Sequence, residues 1–319
     1  RRRRMATAAQ HRVFAPRVSR ASPARRRAHR VVTSRAAAPA APTGAWNLDG
    51  CPDGIILSLA RRLEAEWTRL PNVRDAPCAP ELKSVDATAL DGDPATRIRI
   101  ENLCLQTDAF RKMHLEVAWG LGGLEVLHCV IYPWAEVAAP IFAADLVAFG
   151  GRVTLCIADA SPCADDLSLP RQYVDAARAL RRSMLASCPA IEPRPLPDWG
   201  VAILSPEACV CVGPSKEDFP AQTQTSAFVK YLESLHGVHL LLATKIGGGY
   251  GGGTGARARA QRRFCEKQLL NDKTRRVLER SVGAALTDRY MREVLFDVTA
   301  NTPTGKNARS LGLPTKRFL

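Results

Sequence analysis

The chain has 319 residues, 46% apolar and 24% charged, which is enough to build a sizeable packed core. Its formal net charge of +14 belongs to its ends: residues 1–48 hold twelve Arg and no acid, and residues 301–319 hold two Lys and two Arg and no acid, leaving about −2 between them. The middle is therefore no general polyanion surface, so nucleic acid is not an expected partner, and no apolar run approaches the 18 residues of a membrane-spanning helix.

Residues 1–45 are rich in Arg, Ala, Ser and Pro and carry no acid, which is the composition of an organelle transit peptide; a disordered basic arm is the alternative. The folded domain is placed at 46–300, followed by a basic tail at 301–319. Ten Cys are scattered without a CxxC pair, so reduced thiols in a reducing compartment are expected, with no cluster or metal of the protein's own.

Ile56, Leu59, Ala60, Leu63, Trp67 and Leu70 keep helical spacing up to Pro71. Strands are predicted at about 96–103, 110–118, 124–132, 141–148 and 152–158. Their short connections make neighbours antiparallel. Trp119–Gly123 supplies a turn between the second and third of these. If that hairpin is symmetric about Leu121, His114 lies opposite His128 and Glu116 opposite Val126. Two imidazoles and a carboxylate then share one sheet face, a costly set to bury without a use. Zinc is one way to use such a set, but neither HExxH nor CxxC supports it. Asp145 lies inside the apolar run PIFAADLVAFGG and needs a partner or a raised pKa.

Further along, 170–186 reads as a helix, 207–213 as a strand, and a helix from about 226 is expected to end at Gly237, with His236 and His239 structural or solvated there. The run GGGYGGGTG (247–255) lacks the GK[ST] of a phosphate loop and is read as a flexible insert. Residues 256–280 carry nine basic residues against three acids, either a solvated helix face or a docking patch for an acidic protein. Asn271 and Asp272 interrupt the helical pattern where a turn or a pocket fits.

The segments IENLCLQTDAFRKMHLE, LHCVIYP, PIFAADLVA, IADASP, LPDWG and FCEKQLLNDKTRRVLERSVGAALTDRYMREVLFD resemble, in order, the ferredoxin-dependent bilin reductases. The resemblance spans about 50–298. It implies a single-domain three-layer α/β/α sandwich with a central, mainly antiparallel sheet. It also implies biliverdin IXα held between the sheet and the C-terminal helices, no tightly bound cofactor, and reduced [2Fe–2S] ferredoxin as external electron donor.

By matching motif, the resemblance makes Asp145 the central proton donor, His128 a partner in proton delivery, Glu116 the carboxylate serving vinyl reduction, and His114 a neighbour in the same network. Asn271 and Asp272 fall on the opposite wall, and Arg194, Lys273 and Thr154 contact the propionates. Within the family the pattern is most similar to the branch that reduces biliverdin by four electrons to phycocyanobilin. A two-electron sister enzyme and a non-catalytic bilin carrier are the alternatives. Arg257, Arg259, Arg262 and Arg263 are the candidate ferredoxin contacts, from charge alone. A monomer in the chloroplast stroma is expected.

Overall fold

The computed structural model describes residues 46–87, 97–215, 217–218 and 223–298, within one compact unit. The proposed transit peptide and basic tail lie outside the described residues. Helix α1 (Ile55–Trp67) buries Ile56, Leu59, Ala60, Leu63 and Trp67 along one stripe. A short strand β1 (Arg74–Asp75), helix α2 (Pro80–Lys83) and strand β2 (Ser84–Ala87) lead into the sheet. Its main strands are β3 (Ile98–Gln106), β4 (Phe110–Gly120), β5 (Leu124–Pro133), β6 (Ile141–Phe149) and β7 (Arg152–Ser161). Helices α3 (Arg171–Ser187) and α4 (Asp198–Val201) precede β8 (Val210–Val212) and α5 (Thr223–Leu242). The C-terminal layer holds α6 (Thr254–Gln268), α7 (Asp272–Val282), α8 (Ala284–Tyr290) and a π-helical turn, Met291–Leu295.

The strand order is β1-β3-β4-β5-β6-β7-β8, with β2 also on β3, and every pairing among the described residues is antiparallel. Both faces of the sheet are covered, which explains why its strands are buried on successive residues. Met113, Leu115, Val117, Leu127 and Cys129 pack on one face against α1 and α5. Ile98, Ile100, Val130 and Tyr132 pack on the other against α6, α8 and the π turn. This is the expected sandwich.

Three local readings are corrected. The β4–β5 hairpin turns at 121–123, because β4 runs on through Trp119 and Gly120. Gly120, Gly122 and Gly123 all take positive φ, and a Cβ on Gly120 would lie 2.2 Å from the Arg97 carbonyl oxygen. The centre of the hairpin moves by one residue, and Glu116 rather than His114 pairs with His128. Helix α5 passes through Gly237 to Leu242, because His236 and His239 are anchors within it rather than flanks of its end. His236 accepts from the Trp67 indole at 2.8 Å, and the His239 ring meets the Tyr173 hydroxyl at 3.1 Å.

The Gly-rich run is packed. The Tyr250 hydroxyl accepts from the Cys163 N–H at 2.9 Å, and a Cβ on Gly251 would lie 2.4 Å from the Cys163 carbonyl oxygen. Arg257 is buried and donates to the carbonyls of Ala135, Gly248 and Tyr250 at 2.8, 3.1 and 2.6 Å. Arginine has five donors, and here they satisfy loop carbonyls that a buried turn would otherwise strand.

Candidate active site

The sheet register builds the site. Asn102 pairs with Glu116, Glu116 with His128, and His128 with Asp145. Cross-strand partners point the same way, so these four side chains form one transverse row over β3, β4, β5 and β6. Beyond Asn102, which is buried against Tyr290 of α8, the row faces the C-terminal helices across a cavity of about 790 Å³, a size suited to a large organic ligand. Glu116, His128 and Asp145 line this cavity. Its walls are mostly apolar, with Ile100, Val126 and Ile157 from the sheet facing Val277, Leu278 and Phe296.

His128 Nδ1 lies 2.5 Å from Asp145 Oδ1. Burial alone would lower the His128 pKa, but the Asp145 and Glu116 carboxylates outweigh it and raise it above the ordinary histidine value. Asp145 is less enclosed than its strand suggested, with 36% of its side chain exposed toward the cavity. Burial raises the Glu116 pKa. His114 stands one row back, fully buried and outside the cavity lining, with Nε2 2.8 Å from Asn102 Oδ1. Burial, with Lys112 and His128 nearby, pushes its pKa well below the ordinary value, so it is neutral. The two imidazole centroids are 5.7 Å apart, and His114 Nδ1 and His128 Nε2 have no protein partner. Those two nitrogens are the ones left to pass a proton onward. Among the described residues, no group of three His, Cys, Asp or Glu is placed to hold a metal ion; His114 turns to Asn102, and Glu116 to Tyr290 at 2.5 Å.

The rim brings in the remaining expected residues. Thr154, Arg194, Asn271, Asp272 and Lys273 all line the cavity. Thr154 occupies the bulge where β6 and β7 slip register, and its hydroxyl donates to the Val147 carbonyl at 3.1 Å. Arg194 hangs its main-chain N–H on the Cys211 carbonyl at 2.7 Å. Its guanidinium lies over Gly213, where a Cβ would come within 2.1 Å of Nε. Asn271 caps α7, accepting from the Thr274 N–H. The break between α6 and α7 thus sets Asn271, Asp272 and Lys273 on the rim.

The arginine cluster is not a single patch. Arg257 is a buried structural clamp, and Arg263 is tied to Asp165 at 2.8 Å and to the Ala164 carbonyl at 2.9 Å. Arg262 is half-buried, and Arg259 is exposed. Sequence reasoning passed over Asn102 and Tyr290. Asn102 carried the same signal as Asp145, a polar residue at an inward position of an apolar strand. Tyr290 had no such signal, because its place depends on the π turn.

A sequence profile described as ferredoxin-dependent bilin reductase matches residues 60–297. The chain belongs to this family of oxidoreductases that take electrons from ferredoxin. It is 34% identical over 243 residues to the phycocyanobilin:ferredoxin oxidoreductase of Trichodesmium erythraeum (strain IMS101), covering 76% of this chain and 93% of that one. It is 33% identical over 252 residues to the protein of the same name from Synechococcus sp. (strain ATCC 27144 / PCC 6301 / SAUG 1402/1), covering 77% and 94%. Phytochromobilin synthase from tomato, solved in complex with biliverdin, shares the fold with a TM-score of 0.57 at 17% identity, covering 76% of this chain and 81% of that one.

Proposed function

We propose that this chain reduces biliverdin IXα by four electrons to phycocyanobilin, taking electrons singly from reduced [2Fe–2S] ferredoxin and protons from its own side chains. The observation that carries the reading is the row Glu116–His128–Asp145 facing one large, mainly apolar cavity, with Asn102 continuing the row behind Glu116. The names of the relatives at 33–34% identity agree with it.

Each electron added to a conjugated tetrapyrrole raises its basicity, so an acid must stand ready beside it. Asp145, partly exposed in the cavity, is covered once a tetrapyrrole lies on it. His128, paired to Asp145, resupplies the proton. Glu116, whose pKa is raised by burial, serves the vinyl group. Arg194 and Lys273 hold the propionates, with Thr154 beside them; Asn271 and Asp272 form the facing wall. The protein holds no redox cofactor of its own in this scheme and works as a monomer; its placement in the plastid stroma rests on the composition of residues 1–45.

The test is anaerobic turnover of biliverdin IXα with reduced ferredoxin, the product being read by absorbance and chromatography. Phycocyanobilin is expected. A two-electron product such as phytochromobilin or 15,16-dihydrobiliverdin would move the chain to a sister activity. Tight binding without turnover would make it a carrier.

A further inference from the structure

The hydrogen-bond chain behind Glu116 admits one arrangement of protons. Asn102 Nδ2 donates to the Leu82 carbonyl at 2.8 Å, which fixes its Oδ1 as the end facing the site. That oxygen can only accept. It lies 2.8 Å from His114 Nε2 and 2.8 Å from the Tyr290 hydroxyl, so both must donate to it. A tyrosine has a single hydroxyl proton. With that proton given to Asn102, the 2.5 Å contact between Tyr290 and Glu116 Oε2 needs its proton from Glu116.

We infer that Asn102 and Tyr290 are positioning residues that keep Glu116 in the resting enzyme as a neutral acid, its proton held against the Tyr290 oxygen.

The local fold supports this role. Tyr290 is fully buried, and it is the last residue of α8 before the π turn. The wide turn frees the Val294 and Leu295 carbonyls to accept from Lys112 Nζ at 2.5 Å and from the Tyr132 hydroxyl at 3.1 Å. Side chains of β4 and β5 therefore lock the turn that carries Tyr290. The charged and titratable groups facing Glu116 are His128 on β5, Asp145 on β6 and Tyr290 on α8; the rest of the cavity lining adds Asp159, Arg194, Asp272 and Lys273.

The arrangement prepares the acid for use, and this consequence rests on the function proposed above. When Glu116 gives its proton to the substrate, one O–H bond breaks at the carboxyl and one bond to hydrogen forms on the bilin, with the electrons coming from ferredoxin. Tyr290 keeps its own proton and rotates it from Asn102 to the new carboxylate. The charge left on Glu116 then meets a donor already in place.

The test is a pH titration of the ligand-free protein by infrared difference spectroscopy, following the carboxylic C=O stretch that disappears in Glu116→Gln. The wild type is expected to show this band at pH 7. Tyr290→Phe removes the acceptor for the acid proton, and Asn102→Leu frees the tyrosine proton to favour the carboxylate. Each should lower the midpoint of the band by about one pH unit. A midpoint that rises or stays fixed in these variants would overturn the inference, since a tyrosine donating to a carboxylate gives the opposite sign. Absence of the band from the wild type at pH 7 would overturn it even if neither variant folds. The titration uses no bilin, so it can fail while the turnover assay succeeds, and the reverse.

Discussion

Asp145 and Glu116 are two carboxylates in one row with different surroundings, and under the proposed function that difference separates their tasks. Asp145 is ion-paired to His128 and open to the cavity. Glu116 is buried and bonded to Tyr290. Asp145→Asn should bind biliverdin with near-native affinity yet turn over at least ~100-fold more slowly, within the usual range for losing a positioned acid. Binding and single-turnover absorbance check this, and full turnover by the variant would remove Asp145 from the proton path. At this scale much was legible in the sequence. The hairpin register is off by two in its pairing, yet the shared face survives, because a shift of two preserves the side on which each residue points. Tyr290 was not legible, because its contacts reach residues 174 and 188 positions away.

Among the elements, the π turn and its anchor decide how well the site holds together. Asp297, just beyond the turn, takes two bonds from Arg111, at 3.0 and 3.1 Å, and one from Lys112 at 3.1 Å. Burial would raise the Asp297 pKa, but the two cations outweigh it and hold it well below the ordinary carboxylate range. Asp297→Asn leaves two buried cations short of a partner and should destabilise the protein by about 3 kcal/mol at pH 7. A depressed carboxylate stabilises the fold above its unfolded pKa, near 3.8, and loses that contribution as pH falls through the folded value. The gap between wild type and variant, measured by urea unfolding, should therefore be full at pH 7 and shrink below about pH 4. A gap independent of pH would refute the ion-pair account. Element types and most strand bounds were readable from period-2 and helical spacing. Gly237 and residues 247–255 were misread because glycine marks both helix ends and tight packing. Only tertiary partners such as Arg257 and Cys163 distinguish the two.

Over the whole molecule, alternation along the strands and the apolar stripes of the helices fix which side each layer covers, so the sandwich was legible. The surface charge was not, because counting arginines along 256–280 cannot separate a buried clamp from an exposed cation. On the α7 side of the cavity, Lys273 lines the rim, and the exposed Arg276 (paired to Asp272 at 2.5 Å) and Arg280 share its stripe of the helix with Val277. If an acidic ferredoxin docks there, Arg276→Gln with Arg280→Gln should raise its apparent KM several-fold and flatten the salt dependence. The same change at Arg259 alone should do less, and equal effects would place docking elsewhere. The central claim is that this row of side chains supplies the protons for a four-electron reduction. Its most direct test is anaerobic turnover of biliverdin IXα by wild type and Glu116→Gln side by side, with the products separated by chromatography. The account predicts phycocyanobilin from the wild type and a two-electron product from the variant. Phycocyanobilin from both, at similar rates, would contradict it.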